Sequence, residues 1–307
     1  MKISTSYLFD RAISQMTTVQ TDLAHTQALV ASGKQVLNPS DAPNQAAAIQ
    51  RLQSALNKQD SYAKTLATVQ SRLSAEDSTL QNASDLLIRI KEISVQAANG
   101  TVGPESRISL STELKGLRSQ LLSLANASDA NGNYLFSGSR LKSAPFAEVD
   151  QGHVVYKGDQ TRVYVSVGDG RSIPFNRTGT NAFVGVTRTD SAGQKSNREF
   201  FSAIDDLIEG VNKSDLAVIQ RGLSENDSML NGITLALANV GTDSNVADHQ
   251  LSVIDQTKIA LKTTLSNFED LDMPKAITQM NKQMLALEAS QSSFAKISQL
   301  NLFNFIK

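Results

Sequence analysis

Apolar residues recur every seven positions near the start of the chain: Phe9, Met16, Leu23, Val30 and Leu37. Ala12, Val19, Thr26 and Gly33 fill the intervening places, so the spacing alternates between three and four. That is a narrow coiled-coil seam, and a helix carrying it needs a partner helix to cover it. Alone in water such a helix is marginal. The pattern breaks in the stretch Ser32-Gly33-Lys34-Gln35-Val36-Leu37-Asn38-Pro39-Ser40-Asp41-Ala42-Pro43. Gly33 and the two prolines can end one helix. Ser40 or Asp41 can cap the next, with Pro43 in its first turn, where a missing N–H costs little. Gly33, Asn38, Pro39, Asp41 and Pro43 thus mark a corner between two helical rods.

Residues 43 to 98 predict a second helix, with Leu66, Leu73, Leu80 and Leu87 at strict sevens. Its length would be about 84 Å at 1.5 Å per residue. Asn99-Gly100 stops it, and Gly103-Pro104 opens a third helix, with Leu110, Leu114, Leu117, Leu121 and Leu124. The short connection predicts that this helix folds back antiparallel on the second. Past the middle of the chain, Phe200 to Val211, Leu216 to Val240 and residues 244 to 270 each carry a helical stripe. Pro274 then starts a last helix with Met280, Met284, Leu287 and Phe294, followed by the apolar tail Ile297, Leu300, Leu302, Phe303 and Phe305. Asp270 and Asp272 lie at the joint before Pro274. Every proline falls at a boundary of this division.

The middle differs in composition. Nine of the 16 Phe and Tyr residues lie between Tyr134 and Phe201, and nine of the 17 glycines between Gly132 and Gly193. Val154 to Tyr156 and Arg162 to Val167 read as strands joined by the Gly158-Asp159 turn, and Asp169-Gly170 offers a second turn. The expected fold is mainly α with a small β insert. The paired ends, 1–37 and 274–307, form one coiled-coil domain. Residues 38–140 and 198–273 form a helical rod bundle, and 141–197 a β-rich outer insert.

Catalytic and metal chemistry finds little to work with. The three histidines, His25, His153 and His249, have no partner at metal-ligand spacing, and no cofactor is expected. Gly168-Asp169-Gly170 lacks the further glycine and helix of a phosphate loop and reads as a hairpin turn. Glu269, Asp270 and Asp272 read as a solvated helix end rather than a cation site. The formal charge of -1 argues against nucleic acid, which calls for a basic stripe. No apolar run is long enough to span a bilayer, and no cleavable leader layout opens the chain. The terminal seams exceed what one helix pair can bury, which favours an assembly interface over an internal core. Its expected residues are Phe9, Met16, Leu23, Val30, Leu37, Met280, Met284, Leu287, Phe294, Ile297, Leu300, Leu302, Phe303 and Phe305.

Four stretches carry a resemblance. They are the corner with Ala46-Ala47-Ala48 behind it, Asn131-Gly132-Asn133-Tyr134-Leu135-Phe136-Ser137-Gly138, Phe268-Glu269-Asp270-Leu271-Asp272-Met273, and Phe294-Ala295-Lys296-Ile297-Ser298-Gln299-Leu300-Asn301-Leu302-Phe303. Together they resemble the bacterial flagellin family, and most of all its members at the hook–filament junction. Ala42 departs from the pattern, which often has a second acid there. The resemblance implies a non-enzymatic flagellar subunit that meets hook-associated protein 1, flagellin and further copies of itself. It also implies uncleaved export through the flagellar type III apparatus, with an export chaperone on the C-terminal helix. A short flagellin that builds the filament is the nearest alternative; an enzyme housed in the insert, with His153 in its site, is the other.

Overall fold

The computed structural model describes residues 2–149, 152–189 and 194–303. The side chains of residues 2–6, 8 and 297–303 lie outside the described ones, as does all of Phe305. Among the described residues the helices are α1 (Lys2–Ser32), α2 (Pro43–Ala97), α3 (Pro104–Ala125), α4 (Gly179–Ala182), α5 (Phe200–Lys213), α6 (Leu216–Glu269) and α7 (Met273–Phe303). The strands are β1 (Phe146–Glu148), β2 (Val154–Tyr156), β3 (Tyr164–Gly168), β4 (Arg171–Pro174), β5 (Val186–Thr189) and β6 (Lys195–Arg198). The chain divides into two compact units, residues 1–59 with 256–307, and residues 60–255.

In the central unit α3 and α6 each run antiparallel to α2. Arg89 of α2 reaches Glu113 of α3 at 2.7 Å, and Arg107 of α3 donates to the Ala97 carbonyl at the end of α2. Residue numbers rise along one helix as they fall along the other, as expected of a fold-back through the 98–103 turn. Gln70 and Lys91 of α2 meet Asp248 and Asp227 of α6 in the same opposed sense. Between them Asn226, fully buried, donates from Nδ2 to the Leu87 carbonyl at 3.0 Å. A buried amide with one fixed acceptor sets the register of the two helices, since any slip leaves it unpaired.

Helix α6 corrects the expectation of two separate stripes: it runs unbroken through Gly241-Thr242-Asp243-Ser244-Asn245. No proline interrupts it, and Thr242 folds its hydroxyl onto the Ala238 carbonyl at 2.9 Å. Gly241 costs roughly 1 kcal/mol, which the buried Val240 and Ala247 on either side offset. Its start is fixed by Ser214, at φ 59°, and by the Asp215 carboxylate, which accepts from the Ala217 and Val218 N–H groups.

The strands form three separate antiparallel pairs, β1–β2, β3–β4 and β5–β6. This corrects the reading of β2 and β3 as partners across Gly158-Asp159. The Asp159 carboxylate is instead held by the Ser139 N–H and hydroxyl and by the Thr161 N–H. Gly158 lies so close to the Tyr156 hydroxyl that a Cβ has no room. The chain is pinned there and crosses away rather than turning back. Asp169-Gly170 does make the β3–β4 turn, with Gly170 at φ 75°. That hairpin is seated on the helices: the Tyr62 hydroxyl of α2 donates to Asp169 at 3.1 Å.

One hydrophobic core unites strands and helices. Phe136, Phe146, Phe183, Phe200 and Phe201 interlock edge to face at 5.2–5.6 Å, and they are continuous with Leu66, Leu80, Leu87, Leu114 and Leu121 of the rods. Such ring pairs add about 0.5–1.5 kcal/mol each beyond the area they bury.

Charged contacts fasten the β5–β6 hairpin to the helices. Arg188 donates to Glu225 of α6 and to Asp206 of α5, and Arg198 donates to the same Asp206. Burial pushes the Asp206 carboxyl up, but the hydrogen bonds from Arg198 and Arg188 outweigh it and hold the group below its ordinary value of 3.8. A lowered carboxylate adds stability above its unfolded pKa, and loses it as pH falls through the folded one. The melting temperatures of the wild type and of Asp206→Asn should therefore differ at neutral pH and converge as pH drops below about 3.8. Thermal melts at a series of pH values check this.

Candidate assembly surface

In the terminal unit α1 and α7 lie antiparallel. Phe9 and Phe294 meet edge to face with centroids 5.6 Å apart, while Gly33 faces the segment before α7 at the opposite end. The expected seam of α1 is visible in its exposure. Phe9, Ala12, Met16, Val19, Leu23, Thr26 and Val30 are all covered in part or fully, and nearly every other described position is exposed. Leu23 and Thr26 are the most buried. Thr26 tolerates this because its hydroxyl donates to the Asp22 carbonyl, 2.9 Å away.

Leu37 falls outside that seam. Helix α1 ends at Ser32, so the sevenfold spacing carries Leu37 into the corner loop, where it is partly covered and borders a groove of about 560 Å³. Val36, Pro39, Pro43 and Ile49 share that groove.

On α7 the covered positions are Ala276, Met280, Gln283, Leu287, Ser290 and Phe294, again at a four-three spacing. Ala276, Gln283 and Ser290 escape a search for large apolar residues. The spacing outward from Met280, Leu287 and Phe294 was the signal that could have found them. The Gln283 side-chain oxygen is buried with no hydrogen-bond partner among the described residues. Met284 lies beside that covered stripe and is 48% exposed. Ile277 at 41% and Leu285 at 67% accompany it. With Leu23, Gln27 and Leu287, Met284 and Leu285 border an open groove of about 610 Å³. The helix pair thus covers one stripe of α7 and leaves a second apolar stripe in solvent. Of the tail residues expected here, the side chains of Ile297, Leu300, Leu302 and Phe303 lie outside the described ones, as does Phe305.

The corner and the joint, far apart in sequence, are brought together. Gly33, at φ 68°, ends α1. Its carbonyl accepts from the Leu271 N–H at 2.9 Å, and the Gln35 N–H donates to the Glu269 carbonyl at 2.9 Å. Lys34 and Asp270 therefore pair as a short antiparallel bridge. Gln35 Nε2 donates to the Phe268 carbonyl at 2.7 Å, and Lys34 forms an ion pair with Glu269. Lys34 is raised above its ordinary value by that hydrogen bond and charge. Lys34 and Gln35 carry no periodic signal, and their pairing spans too much sequence to be read from spacing.

Within the corner Asp41 acts differently from the expected helix cap. Its carboxylate accepts from the Asn38 N–H at 2.9 Å, and its own N–H donates to the Asn38 carbonyl at 3.0 Å. This closes a turn around Pro39 and Ser40. The first helical hydrogen bond of α2 ends instead on the Ala42 carbonyl. At the joint Asp272 does cap a helix: its carboxylate accepts from the Lys275 N–H at 3.1 Å, with Pro274 in the first turn of α7. Asp270 bonds to Ser266 one turn back in α6.

Gly33→Ala tests this clip. An L-residue held at positive φ costs roughly 1–2 kcal/mol. The variant should speed amide hydrogen exchange at Gln35 and Leu271 by about tenfold, while exchange in α2 beyond residue 60 stays unchanged.

The comparisons with known proteins agree with this geometry. Residues 3–140 match the bacterial flagellin N-terminal helical region, and residues 223–306 the bacterial flagellin C-terminal helical region. These matches define the class as flagellin-like, with both ends of the chain helical. The flagellar hook-associated protein 3 of Salmonella typhimurium is 31% identical over 99% of this chain and 99% of its own. A Listeria monocytogenes flagellin is 23% identical over 98% of this chain and 96% of its own. Two crystal structures from Legionella pneumophila share the fold. One is a flagellar hook-associated protein 3, with TM-score 0.64, covering 71% of this chain and 98% of its own. The other is the flagellar junction protein FlgL, with TM-score 0.58, covering 66% and 99%. Both are 20% identical to this chain. The chain belongs to the flagellar hook-associated protein 3 family and is a component of the flagellum.

Proposed function

We propose that this chain is a non-enzymatic structural subunit that joins hook to filament. In this reading it meets hook-associated protein 1 on the hook side, flagellin on the filament side, and copies of itself within one layer. The observation that carries it is the second stripe of α7. Ile277, Met284 and Leu285 remain in solvent after α1 has covered the first stripe. Packing them against neighbouring subunits buries apolar surface worth about 1.5–3 kcal/mol per large side chain. The expected seam residues Phe9, Met16, Leu23, Val30, Met280, Leu287 and Phe294 serve the pairing within the chain. Met284 and the tail residues Ile297, Leu300, Leu302, Phe303 and Phe305 serve contacts between chains.

The corner and joint, with Gly33, Asn38, Pro39, Asp41, Pro43, Asp270, Asp272 and Pro274, set the angle between terminal helices and rods. Export is uncleaved, through the flagellar type III apparatus. The C-terminal helix is the segment an export chaperone would hold, since an amphipathic helix suits capture in an apolar groove. A filament-forming flagellin is the weaker reading, given 23% identity to the Listeria flagellin against 31% to the Salmonella hook-associated protein.

Deleting the gene should leave cells with bare hooks and flagellin monomers in the medium, seen by electron microscopy and immunoblot. Bare hooks with the major filament protein missing would make this chain the flagellin. Normal filaments would overturn both readings.

A further inference from the structure

Asparagine followed by glycine occurs three times, at 99–100, 131–132 and 231–232. Such a pair can react with itself, because glycine has no Cβ to keep its N–H from the preceding side-chain amide. The fold treats the three pairs differently. Asn231 and Gly232 lie inside α6, where helical hydrogen bonding engages the glycine N–H and fixes the backbone. Gly132 donates its N–H to the Asp129 carbonyl at 2.9 Å, and Asn131 donates its own to the Asp129 carboxylate at 2.8 Å.

Asn99 and Gly100 are exposed in the turn between α2 and α3. Around them the Asn99 N–H donates to Gln96 and the Val102 N–H to Asn99, but the Gly100 N–H has no partner among the described residues. The side-chain carbonyl oxygen of Asn99 accepts from the Thr101 N–H at 3.2 Å and from the Thr101 hydroxyl at 3.0 Å. Negative charge builds on this oxygen when a nitrogen adds to Cγ, and two donors already aimed at it stabilise that charge. Arg107 places a fixed cation at the same turn, donating to the carbonyls of Ala97, Asn99 and Val102.

We propose that Asn99 is a site of self-modification, at which this turn promotes its own deamidation. The Gly100 nitrogen bonds to Asn99 Cγ and gives up its proton. The Cγ–Nδ2 bond breaks, and Nδ2 leaves as ammonia with that proton. Water then opens the cyclic imide. Addition at Cγ gives an aspartate, and addition at the main-chain carbonyl carbon gives an isoaspartate. No redox partner is needed, and water is the only co-reactant. Either product puts a carboxylate beside Arg107. Isoaspartate also lengthens the backbone of the α2–α3 turn by one methylene.

The test uses the full chain, aged in mildly alkaline buffer. Peptide mapping by mass spectrometry follows amide loss at each site, and a protein-isoaspartate methyltransferase reports isoaspartate. Modification at position 99 should run about tenfold or more ahead of the other two sites, the scale on which misplaced reacting groups lose rate. In urea the three rates should converge. Gly100→Ala should suppress the reaction and Thr101→Ala should slow it. Equal or faster reaction at 131 or 231 in the folded chain would overturn the proposal. So would a ranking that persists in urea. An unchanged rate in Thr101→Ala would overturn the role given to Thr101.

Discussion

Replacing Arg177 by alanine is expected to destabilise the central unit by about 3–5 kcal/mol. Arg177 follows β4 and reaches into the rods, where its guanidinium donates to Glu76 of α2 and to Asp243 of α6, each at 3.0 Å. Glu76 also faces Arg72, one turn earlier on α2. Arg72 in turn donates to Asp129 and to the carbonyls of Tyr134 and Leu135, with its guanidinium 5.1 Å from the centre of the Phe175 ring. The result is an alternating row, Asp129–Arg72–Glu76–Arg177–Asp243, that ties the insert to two helices and to the loop after α3. Arg72, Glu76 and Arg177 are each buried. Burial pushes the Glu76 carboxyl up against the pull of Arg177 and Arg72. Such a charge is tolerated only while both guanidinium groups remain. Removing Arg177 leaves the buried Glu76 with a single longer contact, in a place that water does not reach, and takes from the partly exposed Asp243 its ion pair. Chemical denaturation of the wild type, of Arg177→Ala, of Glu76→Ala and of the double variant measures this. The double variant should cost less than the two singles together, by about 0.5–3 kcal/mol, because the partners share one interaction. Strict additivity would mean that the row is not a unit.

The sequence made the helices legible and left their fastenings hidden. Heptad spacing located α1, α2 and α3 because a helix that buries one face must repeat its apolar residues at that period. The prolines at 43, 104 and 274 marked helix starts for an equally local reason, since each lacks an N–H that the first turn leaves without an intrahelical partner anyway. Three features were out of reach because they depend on distant residues. Gln35 binding to Phe268 spans 233 positions. The partner of β2 turned out to be β1, three residues long and without a β-branched side chain, too weak a local signal to read as a strand. The unbroken course of α6 through Gly241 was decided by packing on both sides of the glycine, which overrides a weak local preference. Within the proposed assembly surface, period alone could place Met284 on α7. It could not say which of two adjacent stripes would meet α1, as both carry large apolar residues.

That ambiguity supplies the second large effect. Met284→Asp combined with Leu285→Asp should abolish incorporation into the flagellum while leaving the α1–α7 pair and the central unit folded. Both side chains are exposed, and Leu285 is the more exposed of the two. In the free chain two carboxylates there remain hydrated and cost little. In an assembled layer they would have to be buried without a partner, which costs several kcal/mol for each ion. A charge at Leu23 acts differently, because Leu23 lies in the covered seam and its loss separates the two helices before any assembly. Removing residues 294 to 307 should likewise abolish incorporation, since it takes away Phe294 together with the tail. Circular dichroism and limited proteolysis of the purified variants report the fold, and electron microscopy with immunoblotting of sheared flagella reports incorporation. Normal incorporation of the Met284 and Leu285 double variant would show that the exposed stripe of α7 is not a subunit contact. Loss of incorporation with an intact helix pair would separate the two jobs of α7, pairing within a chain and packing between chains.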